Sequence, residues 1–324
     1  MDQIALAGTN MSIGRIVFGT MTFGAQVDEA EATQMVLACR DAGVTMFDTS
    51  NNYAGGESER ILGRIVKPFR DQVLISTKGG SMVEQDDESL RGLGAKAIHK
   101  AVDSSLKRLG TDYIDVYYMH RPDRNTPIEE TLSALSEVVA AGKVRYLGQS
   151  NFAAWQITEM IYLARENGWS EPLISQPMYN LLARRVEVEY EEASRRLGLT
   201  NITYNPLAGG LLTGKHQPNA QPEVGSRFTK GMYRDRYWNE GQFTAVDCLR
   251  AIADSAGLTP VELAYRWVLS RDLTDGMLLG ASLLTQLTSN LAALDGPPLP
   301  AEVSAACDEV WDKLLDGVAP RYNR

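Results

Sequence analysis

The chain has 324 residues, with 32 Lys and Arg against 41 Asp and Glu, giving a formal charge of −9. An acidic chain without a Lys/Arg block lacks the basic face that neutralises the phosphates of a duplex, so no nucleic-acid partner is expected. With 44% apolar and 23% charged residues, the composition is that of a globular protein and not of a disordered one. Cys39, Cys248 and Cys307 lie far apart and form no CxxC pair, so they are expected as core residues in a reducing compartment. The start, Met1 to Gly8, has neither a basic region nor a sustained apolar run, and no later stretch reaches the roughly 18 apolar residues of a membrane span. A cytoplasmic protein with no membrane partner is expected.

In chain order, short β-branched runs predict strands at Arg15–Gly19, Val44–Asp48, Val73–Thr77, Ile114–Met119, Val144–Gly148, Leu173–Gln176, Asn201–Tyr204 and Met277–Gly280. Each is followed by an amphipathic helical pattern, the layout of repeated β–α units. A helix opening near Asp28 is expected to end before Gly43, and another before Gly110. Thr126 is predicted as an N-cap, with Pro127 at the first helical position, Glu129 reaching back, and Ile128, Leu132, Leu135 and Val139 on one face. Thr259-Pro260-Val261-Glu262 repeats the device. The polar stretch Gly214–Gly241 and a final helix with Val303, Cys307, Val310, Trp311 and Leu314 on one apolar face fall outside the repeat and are read as additions around a ligand site.

No linker or composition shift divides the units, so the expected fold is one domain over residues 1–324, a (β/α)8 TIM barrel with an insertion and a C-terminal covering helix. A doubly wound sheet would call for a GxGxxG turn after an early strand. Here the first strand runs instead into Phe18-Gly19-Thr20-Met21-Thr22-Phe23-Gly24.

Barrel active sites lie at the C-terminal strand ends, where this chain places Asp48, Lys78, His120, Ser150, Asn151, Gln176 and Tyr204. Taken singly, each has an ordinary structural role open to it. Together, Asp48, Tyr53, Lys78 and His120 form a chemical unit. A tyrosine hydroxyl has an ordinary pKa near 10 and donates its proton at neutral pH only if a neighbouring cation stabilises the anion. Lys78 would supply that cation, Asp48 would offset its burial, and His120 would orient a carbonyl or join the proton path. The three histidines, His99, His120 and His216, form no HxH or HExxH set, so no metal is expected.

Phe47-Asp48-Thr49-Ser50 with Tyr53, Ser76-Thr77-Lys78, Tyr118-Met119-His120-Arg121-Pro122-Asp123, Gly148-Gln149-Ser150-Asn151, Tyr204 through Lys215, and Leu279-Gly280-Ala281-Ser282 together resemble the aldo-keto reductases over nearly the whole chain. That family has this barrel and an Asp, Tyr, Lys, His tetrad in this order. Asn151 through Trp155, Gln176 through Asn180 and Met232 through Trp238 are similar to the aflatoxin-aldehyde and succinic-semialdehyde reductase branch. Phe18-Gly19-Thr20 and Arg91-Gly92-Leu93 are similar to potassium-channel β subunits.

The resemblance implies reduction of an aldehyde or ketone to the alcohol with NADPH as hydride donor, NAD being the alternative. Tyr53 would be the general acid, Lys78 and Asp48 would lower its pKa, and His120 would fix the carbonyl. It implies further that Ser150, Asn151 and Gln176 hold the nicotinamide carboxamide, with Tyr204 stacked on the ring. Asn205, Pro206, Leu207, Gly209, Leu211, Gly214 and Lys215 would then cradle the pyrophosphate while Arg227 closes over it, an anion site of backbone N–H groups and cations. Gly280, Ser282, Gln286 and Asn290 would meet the adenosine end, where better-known mammalian members carry a lysine at the position of Gly280. Met21, Tyr233, Arg236 and Arg324 would face the substrate, the arginines gripping an anionic group. The expected partner is a small carbonyl substrate, and the branch points to a homodimer. Two other readings stay open: a nucleotide-sensing regulatory subunit, and a sugar or alcohol dehydrogenase running in the oxidative direction.

Overall fold

A computed structural model describes residues 2–81, 91–223, 225–229, 231–315 and 319–320. The first two strands, β1 (Gln3–Ala5) and β2 (Ser12–Gly14), form an antiparallel hairpin. Eight parallel strands follow and close into a barrel: β3 (Ile16–Gly19), β4 (Met46–Asp48), β5 (Leu74–Gly79), β6 (Ile114–Met119), β7 (Val144–Ser150), β8 (Ile174–Gln176), β9 (Thr200–Thr203) and β10 (Gly276–Gly280), with β10 paired to both β3 and β9. All eight predicted strands are present, and the expected (β/α)8 barrel is the fold.

Around it lie α1 (Glu29–Asp41), α2 (Glu57–Val66), α3 (Ala95–Leu109), α4 (Ile128–Ala140), α5 (Ala154–Asn167), α6 (Tyr190–Leu197), α7 (Gly231–Tyr237), α8 (Glu240–Ser255), α9 (Pro260–Leu269), α10 (Leu284–Ala292) and α11 (Ala301–Val310). Asp28 caps α1 by accepting from the backbone N–H of Glu31, and Thr259 with Glu262 forms the expected capping box on α9. Such a cap is worth about 1 kcal/mol. Thr126 does not cap α4. Its hydroxyl donates to Asp123 Oδ2 at 2.7 Å, and Pro127 is the capping position, with no side-chain cap.

The period of two along each strand divides the core. Val17, Met46, Val116, Tyr118, Ile174 and Ile202 fill the barrel interior together with Leu6 and Ile13 of the hairpin, which closes its N-terminal end. The alternate residues, such as Phe18, Phe47, Ile75, Tyr117 and Met119, face the helices. Sequence reasoning missed this hairpin, whose strands are only three residues long.

Two further expectations need correction. Cys39 and Cys307 are buried, but Cys248 is exposed, because Ala245, Val246 and Leu249 form the inward face of α8 and leave it on the other side. On the C-terminal helix it is Leu315 that is buried and Leu314 that is exposed. The last turn, Trp311–Leu315, is a π-helix, and its wider i→i+5 turn shifts the apolar face by one residue. The stretch Gly214–Gly241 carries α7 and buries Phe228, Tyr233, Arg236 and Tyr237. Among the described residues, no helix is long and apolar enough to cross a membrane, and no group of three His, Cys, Asp or Glu is placed to hold a metal ion.

Candidate active site

In β4, β5, β6, β8 and β9 the interior row turns from apolar to polar at or just beyond the C-terminal end. Met46 is followed two residues on by Asp48, Leu74 by Ser76 and Lys78, Val116 by Tyr118 and then His120, Ile174 by Gln176, and Ile202 by Tyr204. Side chains at i and i+2 share a face, so the alternation that builds the core also delivers these groups to one mouth.

Asp48 and Lys78 are both buried and form an ion pair between Oδ2 and Nζ. The other carboxylate oxygen accepts from Ser76 Oγ at 2.7 Å and from Gln176 Nε2 at 3.1 Å, while Lys78 Nζ donates to the carbonyl of Thr49 at 2.7 Å. Ser76 stands opposite Asp48 in the β4–β5 register. A buried pair is tolerated when the remaining donors and acceptors are satisfied in this way. Burial pulls the Lys78 ammonium below its ordinary pKa, and the charge of Asp48 opposes the shift.

Tyr53 stands on a short 3-10 segment, Tyr53–Gly56, in which Ala54 and Gly55 have left-handed φ values of 49° and 63°. The segment is anchored from below by buried hydroxyls: Ser58 Oγ lies 2.8 Å from Thr20 Oγ1 and 2.9 Å from Thr49 Oγ1. Lys78 Nζ is 5.1 Å from the centroid of the Tyr53 ring, and the His120 ring meets it edge-on at 6.0 Å. His120 Nδ1 lies 3.1 Å from Ser50 Oγ and 3.4 Å from Ser81 Oγ, which fixes the imidazole plane. Burial, with a smaller push from the Lys78 and Arg121 charges, brings the His120 pKa down to about 3, so the ring is neutral at pH 7.

The expected lowering of the Tyr53 pKa is not found. Burial raises it well above the ordinary phenol value, and the Asp48 charge adds to the rise, with Arg227 pulling the other way. Asp48 neutralises the ammonium that was expected to stabilise the phenolate.

Beside this group, Ser150 Oγ donates to the carbonyl of Gln176 at 2.7 Å, its neighbour in the β7–β8 register. Asn151, at a left-handed φ of 66°, donates from Nδ2 to the His120 carbonyl and to Ser150 Oγ, and its Oδ1 accepts from the Tyr204 hydroxyl at 2.7 Å. That bond sets the direction of the Tyr204 ring. Asn205 organises the following loop: its Oδ1 accepts from Gly209 N–H at 2.7 Å and its Nδ2 donates to the Tyr237 hydroxyl at 2.8 Å. Pro206 is buried, Leu207 half-buried and Leu211 wholly buried, so their side chains pack the loop down. Gly209 and Gly210 have φ of 72° and 106°, conformations that a side chain disfavours. Gly214 ends the loop in the left-handed region.

Lys215 stands at the surface, 3.0 Å from Glu223 Oε2. Arg227 lies beside β10: a Cβ on Gly280 would come within 3.5 Å of its Nη2, and its Nη1 donates to the Tyr233 hydroxyl at 3.3 Å. At the start of α10, the donors are met internally. Ser282 N and Oγ give to Gln286 Oε1 at 3.2 and 3.0 Å, and Leu284 N gives to Glu31 Oε1 at 2.8 Å. Asn290 is buried on α10. Met21 is half-buried after β3. Arg236 is buried, its guanidinium 5.7 Å from the Tyr233 ring centroid and 6.0 Å from that of Tyr237, and its Nε has no hydrogen-bond partner among the described residues. Arg324 lies outside the described residues.

Sequence reasoning overlooked Ser76, Ser50 and Ser81, which hold Asp48 and His120, and Asn180, whose Nδ2 donates to the Asn205 carbonyl at 2.9 Å. Ser76 was within reach, since it shares the inward face of β5 with Lys78. Asn180 was not.

A barrel with Asp, Tyr, Lys and His gathered at its C-terminal mouth is an arrangement with known counterparts. Residues 15–312 match the model of the aldo/keto reductase family, and the chain belongs to that family. It is an oxidoreductase acting on carbonyl or alcohol groups. The chain is 37% identical over 309 residues to a probable voltage-gated potassium channel subunit beta of Arabidopsis thaliana, covering 92% of this chain and 93% of the relative. It is 35% identical over 326 residues to aflatoxin B1 aldehyde reductase member 2 of Homo sapiens, covering 95% and 89%. Human aldo-keto reductase family 7 member A3 is 34% identical over 329 residues, covering 95% and 96%.

Proposed function

We propose that this protein reduces an aldehyde that carries a carboxylate, using NADPH, with Tyr53 as the general acid. The observation that carries the reading is the buried Asp48–Lys78 pair set beside Tyr53 and His120 at the barrel mouth.

The residues suit a nicotinamide nucleotide. Gly210, where a Cβ would meet only His216 Nε2 at 3.9 Å, leaves backbone room for a pyrophosphate, the Arg227 guanidinium beside Gly280 offers charge to a phosphate, and the hydroxyl-anchored Tyr204 offers a ring face. When bound, the cofactor supplies a hydride to the carbonyl carbon. Tyr53 gives its proton to the carbonyl oxygen, and its raised pKa keeps that proton in place at pH 7 until negative charge develops there. Lys78, held by Asp48, lies beside the phenolate that remains, 5.1 Å from the ring centroid. His120, neutral and held by Ser50 and Ser81, aligns the carbonyl oxygen.

A carboxylate on the substrate answers the unpaired Nε of Arg236. A buried guanidinium donor without an acceptor costs at least 1–3 kcal/mol, roughly the cost of any unsatisfied buried donor, and an anionic group recovers it.

Replacing Tyr53 by Phe tests the reading. NADPH affinity, read by fluorescence quenching, is expected to stay within about twofold, while turnover of a good aldehyde falls by roughly 10²- to 10⁴-fold, the usual share of general acid catalysis. Unchanged turnover would overturn the assignment of Tyr53. The second reading, a nucleotide-sensing subunit, is favoured by the similarity to the potassium channel subunit beta. Tight NADPH binding without oxidation by any of a panel of aldehydes in the unmutated protein would select it.

A further inference from the structure

A cleft lies away from the barrel mouth, on the outer surface between α2 and α3. It measures about 530 Å3, and its walls carry Arg60, Arg64, Lys67, Lys107 and Arg108 with Ser104 among them. Both helices end here, and each places basic residues in its last turn: Arg64 in α2, Lys107 and Arg108 in α3. Cations complement the partial negative charge of a helix C-terminus, and this is why the residues are basic. A Cβ on Gly63 would overlap the carbonyl of Leu109, so the two helices are in backbone contact and their basic ends face each other across the cleft.

The carboxylates nearby do not balance this charge. Arg64 pairs with Glu29 at 2.8 Å and Glu57 at 3.1 Å, Arg60 shares Glu57 at 3.3 Å, and Arg108 pairs with Glu59 at 2.5 Å. Lys67 and Lys107 have no ion pair among the described residues. Five cations against three carboxylates leave a positive cleft on a chain whose net charge is −9.

Arg108 also links the cleft to the catalytic side. It packs against Gly56, at the end of the segment that carries Tyr53, where a Cβ would lie 2.7 Å from its Cδ. Its partner Glu59 accepts from Thr77 at 2.6 Å, next to Lys78 on β5.

We propose that the α2–α3 cleft binds a small multivalent phosphate-bearing anion. The volume lies within the roughly 300–1,000 Å3 of small-ligand sites. Guanidinium and ammonium groups on both walls suit phosphate oxygens carrying more than one charge. Binding there recruits Lys67 and Lys107 and orders the end of the Tyr53 segment through Arg108.

The test uses inorganic tripolyphosphate as the probe, with the full chain in low salt. Calorimetry is expected to show saturable binding, weakened at least tenfold in the Lys67→Ala/Lys107→Ala double variant. Both lysines are exposed, and a melting curve verifies that the variant is folded. Hydrogen exchange in the unmutated protein is expected to slow at residues 53–67 and 104–110 when the probe is added. The proposal is overturned by no heat at millimolar probe, by equal affinity in a folded double variant, or by protection confined to residues 205–215. Should the variant not fold, the exchange map alone decides.

Discussion

Arg227 approaches the end of β10 so closely that a side chain on Gly280 would begin 3.5 Å from its Nη2 atom. No side chain stands at this strand position, and a guanidinium from the insertion lies beside it. The N-terminus of α10 close by is already occupied by the Glu31 carboxylate. In the proposed cofactor site, Arg227 is the cation beside Gly280 that can meet a cofactor phosphate.

The consequence is a cofactor effect. Arg227→Ala is expected to weaken NADPH binding roughly 10- to 100-fold, the equivalent of about 1.5–3 kcal/mol for a charge-assisted hydrogen bond. NADH binding should change far less. Fluorescence titration of both nucleotides checks this, and equal losses would remove the phosphate role.

Asp48→Asn leaves the Lys78 ammonium buried without its counter-charge. Breaking a buried pair on one side costs about 3–5 kcal/mol, whereas replacing both partners by neutral groups is often tolerated. Urea denaturation of Asp48→Asn should show that loss, and adding Lys78→Met should recover a good part of it. A single variant as stable as the unmutated protein would contradict the electrostatic account of the pair.

Arg236→Ala should separate substrates. For an aldehyde bearing a carboxylate, KM is expected to rise by roughly 10- to 100-fold, while a neutral aldehyde of similar size changes little. Steady-state kinetics on the two substrates decides, and parallel changes would assign Arg236 to packing against Tyr233 and Tyr237.

His120 makes stability depend on pH in a defined direction. Its pKa is about 3 in the folded protein against 6.5 ordinarily, so below pH 6.5 the unfolded chain takes up a proton that the native state refuses. Its contribution is complete above pH 6.5 and is lost as the pH falls toward 3. At pH 5 the loss is roughly 2 kcal/mol, from about 1.36 kcal/mol per pH unit. His120→Gln should lose less stability than the unmutated chain between pH 7.5 and pH 5 by about that amount, measured by urea unfolding at each pH. Identical losses would mean that His120 titrates normally.

The barrel and most of its mouth were legible in the sequence because they rest on a local rule. A period of two fixes which residues of a strand point inward, and the polar residue at the end of each inward row, from Asp48 to Tyr204, could be read without knowing the neighbours. Capping followed local chemistry at Asp28 and Thr259. It failed at Thr126, whose hydroxyl turns to Asp123 while Pro127 takes the capping position, and periodicity failed at Leu314, where a π-turn shifts the face by one residue.

What only the tertiary structure decided is which distant groups meet. Strand alternation places Asp48 and Lys78 at one mouth, but the Tyr53 pKa rises because folding buries the phenol and lets Asp48 act on it. Arg227 beside Gly280, the buried Arg236 whose Nε has no partner among the described residues, and the facing basic ends of α2 and α3 arise from barrel closure, which brings together segments far apart in the chain. Residue type and spacing set the direction of each side chain along its own element. Burial and electrostatics depend on everything packed around that side chain, and so they belong to the fold.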